Sequence, residues 1–128
     1  MMEKDIINIA LIGAGETGTP LLEQLLYAKF VNVVLVADLD SHTPGIQLAQ
    51  RQGVRTTTDF MEVAQLGTEI DIIIEVTGAS NVKEQLRKYL HDTGNHHTII
   101  MHEMIAILLM SLLRGQLVTM KHQQVDYE

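Results

Sequence analysis

Between the apolar run Ile6-Ile7-Asn8-Ile9-Ala10-Leu11-Ile12 and a helix-forming segment that begins at Thr19 lies Gly13-Ala14-Gly15-Glu16-Thr17-Gly18. A second apolar run, Val31 to Ala37, follows the helical segment and ends in Asp38. Strand, glycine turn, helix, strand and terminal acid form the context in which a G-x-G-x-x-G turn cradles a dinucleotide. Asp38 stands about twenty residues past Gly18, the separation at which an acid meets an adenosine ribose. The same glycines in another setting would mean little. In this setting they constrain both the topology and the class of ligand.

Each glycine has its own physical task. Gly13 permits the tight turn out of the strand, and Gly15 has no side chain where a pyrophosphate must approach the backbone. Gly18 lets the helix pack closely on the strand. The unpaired N–H groups of the helix N-terminus, from about Glu16 to Thr19, present partial positive charge to phosphates. Asp38, as a carboxylate, is expected to accept both ribose hydroxyls and to repel a 2′-phosphate. The residues after it, Leu39-Asp40-Ser41-His42, supply no Arg or Lys for such a phosphate. NAD is therefore expected over NADP.

The remaining sequence supplies alternating strand-like and helix-like segments. Strands are expected at Ile6–Ile12, Val31–Ala37, Val54–Thr57, Ile70–Val76 and Thr98–Met101. Helices are expected at Thr19–Lys29, Pro44–Gln52, Phe60–Leu66, in a segment capped by Ser80 or Asn81 and running through Leu90, and at Glu103–Leu113. Pro20 suits a first helical turn, Gly53 a C-terminal cap and Asp59 an N-terminal cap. This order predicts the α/β class: a doubly wound parallel sheet of about five strands with flanking helices, in one domain over residues 1–128. The apolar helix, about 103–113, and a tail, 114–128, close it. A net charge of −7 argues against nucleic acid, and the absence of cysteine removes disulfides, thiol nucleophiles and thiolate metal sites. The charged start, Met1-Met2-Glu3-Lys4-Asp5, is not a signal peptide, so a cytoplasmic location is expected.

Weaker candidates lie further along. Thr77 and Gly78, with Ala79, fall at the carboxyl edge of the fourth strand, where open α/β sheets bind ligands. Gly78 would allow close approach of a ribose, and Thr77 could donate a hydrogen bond. Glu75 reads as a buried, partnered carboxylate. His96 and His97 are adjacent on an extended segment and point to opposite faces, so no metal site is expected. His102 and Glu103 suit a helix cap, with a place facing the nicotinamide as the other reading. Met104–Leu113 is apolar all round a helix, yet at ~1.5 Å per residue it spans only about half a bilayer. It is expected to be a homodimer interface; the plainer reading buries it under the C-terminal tail.

Ile9-Ala10-Leu11-Ile12-Gly13-Ala14-Gly15, Val36-Ala37-Asp38 and Asp71-Ile72-Ile73-Ile74-Glu75-Val76-Thr77-Gly78 resemble the Rossmann NAD-binding domain of homoserine and semialdehyde dehydrogenases and of the glucose–fructose oxidoreductase family. The last run is especially similar to homoserine dehydrogenase and glyceraldehyde-phosphate dehydrogenase. A second resemblance, over about Ile6 to Leu113, is to NAD-binding-like domains fused to PAS and histidine-kinase modules in bacterial signalling proteins. Leu21-Leu22-Glu23, the stretch from Asp38 to Leu48 and Thr56-Thr57-Thr58-Asp59 carry that likeness, which implies nucleotide sensing. The dehydrogenases keep their catalytic lysine, cysteine or histidine in a second domain that these residues do not provide. The expectation is therefore an NAD(H)-binding sensor or regulatory module, with an NAD-binding fragment or subunit of an oxidoreductase as the alternative. A Rossmann-shaped interaction protein without a ligand is the third reading.

Overall fold

Ile9 and Leu11 alternate with Ala10 and Ile12 along the first strand, and both pairs are buried, on opposite faces. A strand apolar on both sides needs a helical layer on each, and the computed structural model, which describes residues 5–15 and 18–118, has both. The elements run β1 (Ile7–Ile12), α1 (Gly18–Tyr27), β2 (Val31–Ala37), α2 (Pro44–Arg51), β3 (Thr56–Thr57), α3 (Met61–Gln65), β4 (Ile72–Glu75), α4 (Ser80–Asp92), β5 (Ile99–Met101) and α5 (Glu103–Arg114). A single turn of 3-10 helix, Gly67–Glu69, leads into β4. The five strands lie in the order β3-β2-β1-β4-β5, and every pairing is parallel.

Helices α1, α2 and α5 cover one face through Leu21, Leu22, Ile46, Ala49, Ala106 and Met110. Helices α3 and α4 cover the other through Val63, Ala64, Val82 and Leu86. An irregularity between β1 and β2, where Ile9 pairs with Val33 but Ala10 with Leu35, skips Val34 and puts Val33 and Val36 on the same face. Leu22 is fully buried, and its truncation to Ala belongs to the class of core cavities that cost about 2–5 kcal/mol.

The chain leaves β1 for β2 on one side and returns to β4 on the other. The strand order therefore reverses beside β1, and a crevice opens at the carboxyl ends of β1 and β4. Most boundaries differ from the sequence expectation by a residue or two, and two of the differences have a visible local cause. The third strand is two residues long because Val54 turns back, its N–H donating to the Ala49 carbonyl at 2.8 Å. Helix α4 has Ala79 at its N-cap, with no capping side chain there, and Ser80 is already its first residue. Thr77 shapes the turn ahead of the helix, its Oγ1 accepting the Ala79 N–H at 3.0 Å. Among the described residues, no helix is long and apolar enough to cross a membrane.

Candidate functional site

The turn out of β1 is built where only glycine fits. Gly13 has φ +102°, and a Cβ there would meet Val76 Cγ2 at 3.1 Å and the Thr77 nitrogen at 3.3 Å. Gly18 is constrained by space, since its Cβ would lie 2.1 Å from the Gly13 carbonyl oxygen. The start of α1 thus lies directly on the turn. Gly15 is half-buried, and its carbonyl accepts both the N–H of Thr19, at 3.0 Å, and the Thr19 hydroxyl, at 2.7 Å. Glu16 and Thr17 lie outside the described residues.

Asp38 closes the other side of the turn. It is buried, at 6% exposed, and its Oδ2 accepts the Ala14 N–H at 2.7 Å. Its Oδ1 accepts the Asp40 N–H at 3.0 Å. A carboxylate offers about four lone-pair positions, so two remain for ligand hydroxyls. A backbone bond from the Gly13 N–H to the Ala37 carbonyl, 2.8 Å, runs alongside. Sequence reasoning missed Gly45 and Thr43. Gly45 donates its N–H to the Ala14 carbonyl at 2.8 Å, and a Cβ there would meet that oxygen at 2.6 Å, so α2 also packs directly on the turn. Thr43 is buried just before it. The only local hint was Pro44-Gly45 at the start of a helix.

At the end of β4, Glu75 is buried and its Oε1 accepts both the N–H of Thr77, at 2.8 Å, and the Thr77 hydroxyl. Thr77 therefore spends its hydroxyl proton on Glu75, and a ligand would meet its oxygen as an acceptor rather than the expected donor. Gly78 follows with φ +76° and is exposed at the crevice. Gly13, Ala14, Gly15, Gly18, Asp38, Thr77 and Gly78 thus share the carboxyl edge of the sheet.

The histidines are elsewhere or otherwise engaged. His97 lies at the opposite edge, where its Nε2 is 2.6 Å from Asp71 Oδ1, while Asp71 Oδ2 accepts the Asn8 N–H at 2.7 Å. His102 holds the N-cap position of α5, and its carbonyl accepts the N–H groups of Ile105 and Ala106. Its side chain does not cap. Instead the ring nitrogens lie 2.7 Å from Lys83 Nζ and 3.0 Å from Arg87 Nη2.

Glycines that clear the backbone beside a helix N-terminus, with a carboxylate retaining free lone pairs at the next strand end, fit a pyrophosphate and an adenosine ribose. Residues 13–118 match the family described as the homoserine dehydrogenase NAD-binding domain. The chain is 33% identical over 96 residues to an acetaldehyde dehydrogenase of Roseiflexus sp. strain RS-1, covering 73% of this chain and 30% of that protein. It is 31% identical over 94 residues to the acetaldehyde dehydrogenase of Desulfitobacterium hafniense, covering 73% and 31%. The chain therefore spans under a third of these relatives. Among solved structures, an NAD-binding protein from Listeria innocua superposes with TM-score 0.57 at 15% identity, over 89% of this chain and 34% of that one. GenD2 from gentamicin A biosynthesis, in complex with NAD, superposes with TM-score 0.54 at 21% identity, over 77% and 34%. The likeness to domains of PAS and kinase proteins is not carried by these matches.

Proposed function

Because the chain belongs to the family of homoserine dehydrogenase NAD-binding domains, we propose that it is the NAD-binding part of an oxidoreductase. The dehydrogenase relatives favour this reading over a sensor. In it, Gly13, Ala14, Gly15, Glu16, Thr17 and Gly18 carry the pyrophosphate, Asp38 holds the adenosine ribose, and Thr77 and Gly78 border the nicotinamide half. NAD supplies a hydride acceptor when bound. The residues of this chain bind and orient it, whereas the group that activates the substrate belongs to a further domain or subunit. The named relatives point to a short-chain aldehyde as the substrate class of the whole assembly. Residues 1–128 act as one domain in this reading.

The observation that carries the nucleotide assignment is Asp38, buried with its carboxylate fixed 2.7 Å from the nitrogen of Ala14. A carboxylate held there welcomes two hydroxyls and opposes a phosphate dianion. NAD(H) should therefore bind more tightly than NADP(H), and Asp38→Ala should weaken NAD(H) binding by about 1.5–3 kcal/mol, as for a hydrogen bond to a charged group. Isothermal calorimetry with both nucleotides tests this, and equal or tighter NADP binding to the unsubstituted protein would sink it.

A further inference from the structure

Lys83 and Arg87 stand one turn apart on α4, and both reach the imidazole of His102 at the carboxyl end of β5. Lys83 Nζ lies 2.7 Å from Nδ1, and Arg87 Nη2 lies 3.0 Å from Nε2. A neutral imidazole has one N–H and one lone pair, so it can accept from only one of these donors. The other cation then faces an N–H, and a protonated ring would face two cations. Among the described residues, neither Lys83 nor Arg87 has a carboxylate within salt-bridge distance. This contrasts with Lys88 on the same helix, which pairs with Asp92 at 2.8 Å. Among the described residues, three groups able to donate thus converge without an acceptor that satisfies them all, in a chain whose net charge is −7.

We infer that Lys83, Arg87 and His102 form a binding site for a phosphate-class oxyanion. An anion seated among them would accept from the ammonium, the guanidinium and the ring N–H together, turning a repulsive cluster into three charge-assisted bonds. A tetrahedral oxyanion offers three outward oxygens to three donors, whereas a planar carboxylate matches two. Arg87 is also a wall of an open cleft of about 310 Å³, with Leu90, His91, His96 and Ile100. That cleft, which Asn95 and Thr98 also line, gives room for a polar organic body attached to the phosphate, with two further imidazoles and the apolar side chains of Leu90 and Ile100 among its walls. The site shares no residue with the proposed nucleotide site and stands or falls separately from it.

The test is NMR of the His102 ring signals, assigned with His102→Gln, in nucleotide-free protein at constant ionic strength. Inorganic phosphate should shift them saturably with a Kd on the order of millimolar, as befits a small ligand at an exposed site. Chloride and acetate should not. In K83Q/R87Q, whose remaining spectrum reports the fold, phosphate binding should weaken roughly tenfold or more. Tighter binding of glycerol 1-phosphate than of phosphate identifies a phosphomonoester using the cleft, and equal binding identifies free phosphate; either supports the site. A shift matched by acetate or chloride, no saturable shift, or one unchanged in K83Q/R87Q overturns it.

Discussion

A single added carbon separates the glycines that shape the site from those that merely end a helix. Gly18→Ala would drive a Cβ to 2.1 Å from a backbone oxygen, whereas a Cβ at Gly53 meets nothing within 4 Å and is opposed only by its φ of +75°. The first should cost about 3 kcal/mol or more as an overpacking change that neither backbone can relieve. The second should cost about 1–2 kcal/mol, the ordinary expense of a left-handed alanine. Urea denaturation of both variants checks the ranking, and a Gly18→Ala protein as stable as Gly53→Ala would contradict the packing of α1 on the turn. Asp38 and Gly13 were legible because strand, turn and acid follow one another locally. Gly45 was not, since its contact with Ala14 joins residues far apart in sequence and leaves no periodic mark.

At the scale of elements, long apolar runs announced themselves and short ones did not. β1 and β2 fall within a residue of the expected bounds because their apolar runs, broken only by Asn8 and Asn32 near the start, require burial on both faces. β3 shrank to Thr56–Thr57 because a helix-ending turn captures Val54, which composition alone cannot reveal. The contact between His97 and Asp71 spans 26 residues and pins the approach to β5 against the start of β4. Asp71→Ala should destabilise the protein by about 1–3 kcal/mol, because the Asn8 N–H also loses its acceptor. The coupling of Asp71 to His97 in a double-mutant cycle should be smaller, about 0.5–1 kcal/mol, since His97 is half exposed. Thermal denaturation of the single and double variants measures both, and a coupling near zero would mean that the pair does not hold β5.

For the whole molecule, α5 presents one face to the core and leaves another exposed. One side, Ala106 and Met110, joins the core, while Met104, Leu108, Leu112 and Leu113 are largely exposed. The sequence showed that this helix is apolar all round. The plainer reading, burial under the tail, concerns residues mostly outside those described, although Val118 does pack against the core. Exposed apolar faces of this kind mark interfaces, and we propose a homodimer joining the same patch of two copies. Light scattering at micromolar concentration should show a dimer, and replacing Leu109 and Leu113 by Glu should give monomers or aggregates. A monomer before substitution would refute the assembly and leave this face for another domain of an oxidoreductase.

The bond from Ala14 to Asp38 links residues 24 apart and is present in the protein alone. The end of β2 is thus already drawn to the glycine turn before any nucleotide arrives. Contact energy from the ribose then need not be spent on bringing these segments together, and more of it remains as affinity. In the proposed reading, the same carboxylate serves as a brace before NAD arrives and as a grip afterwards. Capture at this corner would then be docking onto a finished frame rather than a local folding event.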